Sequence, residues 1–299
     1  MANTYSSIID EILINLNGYT MRQDRTTHLT SAITSSDTVL PFSSITNIGK
    51  GIVEIDDELI WLDTYDRVSP TGSVPPYGRG YQGTTAASHT SGTKVTVSPT
   101  SPRVMVKKAI QDTIEASFPH LFSVEHTTLT YQATKSTYSL PADIQWITQV
   151  SWQTTGPSGE WLPVKGWRHD SMANHTAYTS GNTIGIYDRI TPGRTINIAY
   201  ARKPQQMVNT TDVFEDVTGL PTSCKDVIVY GATYRLLQFI DPARLNYSSA
   251  EADLNDSKLQ YGSGASSARF LLAMYQQRLN EEADKLRDAY QTRIHYTRY

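Results

Sequence analysis

The sequence predicts an α+β protein: an antiparallel helical bundle with two inserted β-rich modules and an extended C-terminal tail. Segments with apolar residues at helical spacing alternate with long Ser/Thr-rich segments, and the last third of the chain returns to helical spacing. The predicted bundle comprises 1–26, 100–124 and 204–284, the first β module 27–99, the second β-rich insertion 125–203, and the C-terminal docking tail 285–299.

The first helix and the first β module follow from a change in composition. Residues 7–17, SIIDEILINLN, carry isoleucine and leucine on one helical face, and Gly18 ends the pattern. Residues 26–38 then contain eight Ser or Thr in thirteen, and β-branched side chains favour strands. Short apolar runs separated by a Pro/Gly-rich loop at 69–83 continue to Val97, which indicates β structure.

The remaining elements are predicted from caps and breaks. Ser101 and Pro102 are typical of a helix start, and Pro119 ends that helix. A second β-rich stretch runs to about residue 203. After Pro221 the segment VIVYGATYRLLQFI is apolar on nearly every side, so it is predicted to be central, with Leu236 and Leu237 in the core.

Composition and charge restrict the classes of partner. The net charge of −3, from 26 basic and 29 acidic residues, argues against a broad cationic surface for nucleic acid. The apolar runs are too short to cross a bilayer, so no membrane partner is expected. A single cysteine, Cys224, excludes an intramolecular disulfide.

No catalytic, metal or cofactor site is predicted, and the protein is not expected to be an enzyme, because the strong sequence motifs for such sites are absent. Weaker candidates have a structural alternative that is favoured in each case. Ser223 is interpreted as a helix cap, and Cys224 as a small buried side chain rather than a thiol nucleophile. His169 with Asp170 is interpreted as an exposed loop rather than an acid/base pair. Five acidic residues are interpreted as a solvated strand edge rather than ligands of a divalent cation: Asp56, Asp57, Glu58, Asp63 and Asp66.

One stretch resembles a small β module that recurs in structural proteins of tailed phages. It comprises VEIDDELIWLD, residues 53–63, and YGRGYQGTTAASHTSGTKVTV, residues 77–97. Gly80, Gly83 and Gly92 are predicted to provide backbone conformations in its turns rather than to bind a ligand. The module is expected to contact neighbouring copies or tail proteins.

A second stretch narrows the expected role. Residues 219–244, GLPTSCKDVIVYGATYRLLQFIDPAR, resemble the core helix of head-to-tail adaptor (connector) proteins of tailed phages. The resemblance implies a ring of identical subunits, about twelve, that joins the portal vertex to the tail in the virion neck after assembly in the host cytoplasm. The implied partners are the portal protein, tail or nozzle proteins, and genomic DNA that passes through the lumen without sequence-specific contact.

The tail is expected to dock on the portal and to be mobile in the isolated protein, because beyond Tyr290 only Ile294 is aliphatic. The predicted portal interface consists of tyrosines and arginines, the residue types found at interface hot spots: Arg287, Tyr290, Arg293, Tyr296, Arg298 and Tyr299. Two alternatives stay open. One is a tail-associated protein that binds a glycan or receptor on an aromatic platform of Tyr77, Tyr81, Trp152, Trp161 and Trp167. The other is a cell-wall hydrolase that uses Cys224 or a carboxylate.

Overall fold

The structure, a computed structural model, describes residues 3–20, 24–154, 159–174, 176–244 and 263–291. Within these ranges the chain forms fourteen β-strands in four sheets, and five α-helices. The predicted antiparallel helical bundle is therefore wrong as the organising architecture. In the described residues the sheets dominate the fold, and no bundle core is shown.

The helices are α1 (Tyr5–Thr20), α2 (Arg103–Ser117), α3 (Phe214–Thr218), α4 (Lys225–Arg244) and α5 (Ser263–Ala289). The strands are β1 (Arg25–His28), β2 (Val39–Pro41), β3 (Gly51–Ile55), β4 (Glu58–Leu62), β5 (Thr64–Asp66), β6 (Thr71–Ser73), β7 (Lys94–Val97), β8 (Ser123–Thr130), β9 (Thr137–Ser139), β10 (Ile144–Gln153), β11 (Trp161–Pro163), β12 (Trp167–Asp170), β13 (Thr183–Ile186) and β14 (Thr195–Arg202). Across the described part of the chain, no helix is both long and apolar enough to span a lipid bilayer.

The chain divides into two compact units. The first unit comprises Met1–Tyr5, Ile114–Val227 and Tyr275–Tyr299, and the second comprises Ser6–Thr113 and Ile228–Met274. Segments of α2, α4 and α5 belong to both units, because the division falls inside these helices, and the first residue of α1, Tyr5, is likewise separated from the rest of its helix.

The second unit contains two antiparallel sheets. One has the strand order β1-β7-β3-β4, and the other has the order β2-β6-β5. Apolar residues in and beside these short strands form one hydrophobic cluster, which includes Leu40, Phe42, Val53, Ile60 and Val95. This cluster lies entirely within residues 29–97, so the Ser/Thr-rich segment has a core of its own.

The first unit also contains two antiparallel sheets, in the orders β11-β10-β14-β8 and β12-β13-β9. The long strands β10 and β14 pair through most of their length, with two register shifts in β10. Buried residues that include Ile147, Val150, Ile184, Ile196 and Ile198 form its hydrophobic cluster. The strand β8 lies at one edge of the larger sheet.

The error in the predicted architecture has a physical cause. An amphipathic pattern shows that one face of a helix is buried, but it does not show whether a helix or a sheet covers that face. In α1 the residues Ile8, Ile9 and Ile12 are fully buried, as the spacing predicts. The two β segments, by contrast, were treated as insertions although each contains a hydrophobic cluster of twelve buried residues.

Candidate functional site

A cluster of charged side chains lies at the β3–β4 hairpin of the second unit; we refer to Asp56, Glu58, Arg79 and His89 as the charged cluster. The hairpin has a two-residue turn, and its first residue, Asp56, has a φ of 52°. Left-handed residues are common in such turns because they match the twist of the strands. Glu58 begins β4 directly after this turn, and its side chain is only 1% exposed.

Arg79 is the main partner of Glu58. Its Nε and Nη2 atoms donate hydrogen bonds of 2.8 and 2.9 Å to the two carboxylate oxygens of Glu58. Its remaining N–H groups donate to the backbone carbonyl oxygens of Thr34, Asp37 and Ala87 at 2.6, 3.1 and 2.6 Å. All five N–H donors of the guanidinium are therefore used, which fixes its position between three loop segments.

His89 joins the same carboxylate from the other side. Its Nε2 atom lies 2.9 Å from Glu58 Oε2, and its Nδ1 atom lies 2.8 Å from Asp56 Oδ2. Burial acts to lower the pKa of His89, but the hydrogen bonds to Asp56 and Glu58 outweigh it and raise the pKa to about 9. The imidazole is consequently a cation near neutral pH, and both ring nitrogens donate.

The acceptor capacity of Glu58 is fully occupied. In addition to Arg79 and His89, the backbone N–H groups of Gly80 and Ala87 each donate to it at 3.0 Å. Burial acts to raise the pKa of Glu58, but these hydrogen bonds, first that from Arg79, lower it to about 2. A carboxylate with five donors has no lone pair left for a metal or for proton transfer. The charged cluster therefore positions loops, and its arrangement offers no catalytic chemistry.

The three turn glycines all have left-handed backbone conformations: φ is 60° at Gly80, 80° at Gly83 and 82° at Gly92. At Gly80 space is also restricted, because a Cβ atom would lie 2.7 Å from the carbonyl oxygen of Thr84. At Gly83 and Gly92 a Cβ atom would enter open space, so only the backbone conformation favours glycine there.

A second group of charges surrounds the N-terminus of α2. Arg103 contacts Asp10 at 2.6 Å and Asp57 at 3.4 Å, and Lys107 contacts Asp57 at 2.8 Å. The backbone N–H of Arg103 donates to buried Glu54 at 2.5 Å, which satisfies one of the unpaired N–H groups at the helix start. Burial raises the pKa of Glu54 to about 7, against the opposing effect of this hydrogen bond.

The acidic residues that could have bound a cation are each engaged elsewhere. Asp57 is held as described, Asp63 pairs with Lys50 at 2.7 Å, and Asp66 accepts the N–H of Val68 at 2.9 Å. Among the residues that the structure describes, no group of three or more His, Cys, Asp or Glu side chains is arranged to hold a metal ion.

The candidate nucleophile and acid/base residues do not form a catalytic arrangement. Cys224 is buried, and burial together with the nearby Glu282 raises the pKa of its thiol to about 12, so the thiolate is not accessible. The hydroxyl of Ser223 donates to Glu282 at 2.5 Å. His169 and Asp170 are consecutive in β12 and therefore point to opposite faces of the sheet.

The aromatic platform of the glycan-binding alternative is not formed by the tryptophans of the first unit. Trp152 pairs with Leu162, and Trp161 pairs with Gln153, so Trp152 and Trp161 point to opposite faces of their sheet. Trp152 and Trp167 pack against the hydrophobic cluster, whereas Trp161 is 45% exposed. In the second unit the Tyr81 ring lies 5.5 Å from that of Trp61, and Tyr77 is exposed. No described geometry supports a sugar-stacking surface.

The other predicted positions differ in how much the structure describes. Leu236 and Leu237 are each 4% exposed in α4. Arg287 lies in the last turn of α5, which continues to Ala289, so the first five residues of the predicted tail are helical. The Tyr290 ring lies 6.5 Å from that of Phe122. Arg293, Tyr296, Arg298 and Tyr299 lie outside the described residues, and so does the predicted mobility of that segment.

The charged cluster was missed as a unit by sequence reasoning, although its residues all lie in the stretch that resembles a phage β module. Arg79 is 21 residues from Glu58, and His89 is 31 residues from it. The sequence signal for the charged cluster is an acidic turn, an Arg-Gly pair and a lone histidine within one hydrophilic stretch. Their opposite charges can compensate one another when these side chains are buried in one place.

Residues 102–296 match the family model described as SU10 adaptor protein. The match begins at the start of α2 and covers about two-thirds of the chain, whereas the charged cluster lies before it. The search of curated proteins found no match.

Proposed function

The chain belongs to the SU10 adaptor protein family, whose members are phage structural adaptors, and on this premise we propose that it is a head-to-tail adaptor of a tailed phage. It is thus a virion-associated protein. In the proposed role, about twelve identical subunits assemble in the host cytoplasm into a ring in the virion neck, between the portal vertex and the tail.

The family match is the observation that carries the proposal. It extends from α2 through both long strands β10 and β14 and through α4 and α5, so it covers most of the first unit. The charged cluster supports a structural role as well, because it uses four ionisable side chains to hold loops and leaves none for chemistry. A subunit of a ring needs fixed surface loops, since each contact is repeated around the ring.

We assign the proposed portal contact to the end of α5 and the residues that follow it. Arg287 is exposed there, and Tyr290 is 44% exposed beside Phe122, so both present surface to a partner. Arginine and tyrosine provide forked hydrogen bonds and rigid contact area. The β module of residues 27–99 lies outside the family match and is proposed to contact neighbouring copies or tail proteins.

Duplex DNA is proposed to pass through the ring without sequence-specific contact. The whole chain carries a net charge of −3, and a lumen of like charge lets phosphates pass without binding. The arginines near the C-terminus are assigned to the portal rather than to DNA. High salt would weaken a phosphate contact much more steeply than a contact that buries tyrosine.

The experiment is a binding assay with the purified portal protein, followed by negative-stain imaging. We expect rings seated end-on against the portal, and we expect binding to weaken when Arg287 and Tyr290 are both changed to Ala. The matched control changes Arg269 to Ala, an arginine on the same helix at a distance from its C-terminal end. Protein that stays monomeric and does not bind the portal would contradict the proposal.

A further inference from the structure

Three segments of the first unit meet near the start of β14, and we refer to them together as the basic tip. They are residues 131–136, 165–168 and 187–194. The carboxylate of Asp188 accepts the backbone N–H groups of Lys165 and Gly166 at 2.6 and 3.0 Å. Tyr131 donates its N–H to the carbonyl of Arg194 at 2.8 Å and its hydroxyl to the carbonyl of Asp188 at 3.4 Å. These contacts hold the three segments side by side.

Positive charge is concentrated on the basic tip. The tip contains five basic residues and one acidic residue, although the whole chain carries a net charge of −3. The basic residues are Lys135, Lys165, Arg168, Arg189 and Arg194. Arg194 is half-buried and the other four are exposed, and none of the five pairs with a carboxylate in the described part of the chain. The nearby carboxylates of Asp188 and Asp170 accept backbone N–H groups instead. The tip therefore attracts anions.

An exposed aromatic ring lies among these charges. Tyr187 directly follows β13, and its N–H donates to the carbonyl of Gly166 at 2.8 Å. Its side chain lies over Gly185, where a Cβ atom would be 2.9 Å from the tyrosine hydroxyl oxygen and 3.2 Å from the ring carbon Cζ. The glycine thus leaves the space that the phenol occupies along the sheet. Tyr187 is 63% exposed, so most of the ring is open to solvent.

Arg168 shares the sheet face on which this ring lies. Arg168 is opposite Gly185 in the pairing of β12 with β13, and opposite residues project to the same face. Tyr187 lies two residues beyond Gly185 and projects to that face as well. Ile184 and Ile186 point the other way, into the hydrophobic cluster. An arginine and an aromatic ring therefore occupy the outer face of the smaller sheet.

The chemistry of the basic tip fits an anionic polymer that carries flat groups. Tyr187 is the one exposed large apolar or aromatic side chain in the three segments, so a protein partner would find little apolar surface to bury. The phosphates of a nucleic acid match the basic side chains, and an unpaired base can stack on the ring. The bases of a duplex are stacked on one another, so a duplex would engage the charges without the ring.

We propose that the basic tip binds single-stranded nucleic acid, with Tyr187 as the stacking ring and with Arg168 and Lys165 at phosphates. This inference goes beyond the proposed adaptor function and does not rest on it. It also leaves the proposed passage of duplex DNA unchanged, because a duplex offers no unpaired base to Tyr187. All the groups involved belong to one subunit, so binding needs neither the ring nor the portal.

The test is fluorescence anisotropy with the full chain and a labelled oligonucleotide of about 12 deoxythymidines at low salt. Tyr187→Ala should weaken binding about tenfold, because one stacked base is lost, whereas Tyr187→Phe retains the ring and should bind as the unmodified protein does. Arg168→Ala combined with Lys165→Ala should weaken binding and lower the slope of log affinity against log salt by roughly one unit. All these side chains are exposed, so melting temperatures should stay close to that of the unmodified protein.

A matched control removes the same charge elsewhere. Lys94→Ala combined with Lys108→Ala changes two exposed lysines of the second unit, and it should leave the affinity and the salt slope unchanged. A duplex of the same length should bind more weakly than the single strand, and Tyr187→Ala should not alter its affinity. These results together would distinguish stacking on the ring from a general attraction between opposite charges.

A peptide of about 12 glutamates tests an acidic protein as the alternative partner. If this peptide binds as tightly as the oligonucleotide, and Tyr187→Ala alters neither affinity, the tip fits an acidic protein and the proposal is overturned. A chain that does not bind the oligonucleotide at low salt would overturn it as well. If that chain still docks on the portal, the adaptor function stands and this inference alone fails.

Discussion

The edge strands β4 and β8 differ in whether their outward backbone groups are hydrogen-bonded. The outer edge of β4 is covered: Trp61 N–H donates to the carbonyl of Gly78 at 2.8 Å, and Leu59 N–H donates to the hydroxyl of Thr84 at 3.0 Å. The outer edge of β8 has no such cover among the described residues. An irregular loop thus closes one sheet, while the other keeps a row of backbone groups available.

The edge of β4 is covered because specific contacts hold the loop at 75–84 against this strand. The loop at 75–84 has little aliphatic content to bury, and the contact of the Tyr81 ring with Trp61 is its main aromatic contact with β4. Glu58 and Arg79 add a polar anchor, since Glu58 also accepts the N–H of Gly80 in the loop. The buried ion pair of Glu58 and Arg79 therefore anchors the loop that covers the edge of β4.

Breaking the ion pair should have the largest effect. Replacing Glu58 by Ala leaves the Arg79 guanidinium and the His89 imidazolium without their common acceptor, and removal of one partner of a buried pair typically costs about 3 to 5 kcal/mol of unfolding free energy. Chemical denaturation should show this loss. The matched control is Asp56→Asn. The Asp56 side chain is 62% exposed, so this variant should lose well under half as much unfolding free energy as Glu58→Ala.

The same variant tests the edge directly. In Glu58→Ala the loop should leave β4, so the amide of Trp61 should exchange with solvent much faster, as the outward amides of an open edge do. The amide of Leu62, which lies on the same strand, serves as the comparison. Unchanged exchange at Trp61 would show that the loop holds its place without the charged cluster.

Truncation of Leu236 or Leu237 gives the loss of unfolding free energy at a buried apolar side chain, for comparison with the loss at the ion pair. Both side chains are buried in α4, and truncation of either to Ala should cost about 2 to 5 kcal/mol, because methylene groups are lost and a cavity remains. The control Ile14→Ala removes a side chain that is 70% exposed and should change the unfolding free energy by about 0.5 kcal/mol or less. Equal effects at Leu236 and Ile14 would contradict the assigned burial.

The turn glycines should give a smaller and graded effect. Gly80→Ala combines a left-handed φ with a Cβ atom 2.7 Å from Thr84 O, and such strain should cost about 1 to 3 kcal/mol. Gly83→Ala meets open space and has only the backbone penalty, so its loss in thermal stability should be smaller. A larger loss at Gly83 than at Gly80 would show that space is not limiting at Gly80.

Local elements could be predicted from the sequence, but their assembly could not. The helix predicted for 7–17 is found as α1, and the helix predicted after Pro102 is found as α2, because caps and apolar spacing are local signals. The bundle was wrong because helical spacing shows a buried face without identifying what buries it.

The charged cluster shows the same limit at the level of side chains. The residues of the module were singled out from the sequence, and the left-handed glycines follow from turn chemistry. The pairing of Glu58 with Arg79 and His89 depends on the path of an irregular loop, and such a loop produces no periodic pattern in the sequence. The five acidic residues between positions 56 and 66 also look alike in the sequence, although only Glu58 is fully buried among donors.

Over a single pH unit, the smallest expected effect is the pH dependence of the charged cluster. The folded-state pKa of His89, about 9, lies above its usual value of 6.5, so its contribution to stability is complete below pH 6.5 and is lost as the pH rises through 9. The folded-state pKa of Glu58, about 2, lies below 4.5, so its contribution is complete above pH 4.5 and is lost as the pH falls through 2. The cluster should therefore stabilise the protein most between these limits, from pH 4.5 to 6.5.

Glu54 adds a second contribution to the pH dependence of the unfolding free energy. A variant of Glu54 can separate it from the contribution of His89. Its pKa is raised from 4.5 to about 7, so its protonated form favours the folded state, and this contribution is lost as the pH rises from 4.5 through 7. Between pH 7.5 and 8.5 the remaining slope should come from His89, at roughly 1 kcal/mol per pH unit. Denaturation at a series of pH values should show that His89→Gln removes this alkaline slope while Glu54→Gln retains it. If His89→Gln and the unmodified protein lose stability in parallel over this range, the imidazole is not the cation that holds the hairpin, and the loop depends on Arg79 alone.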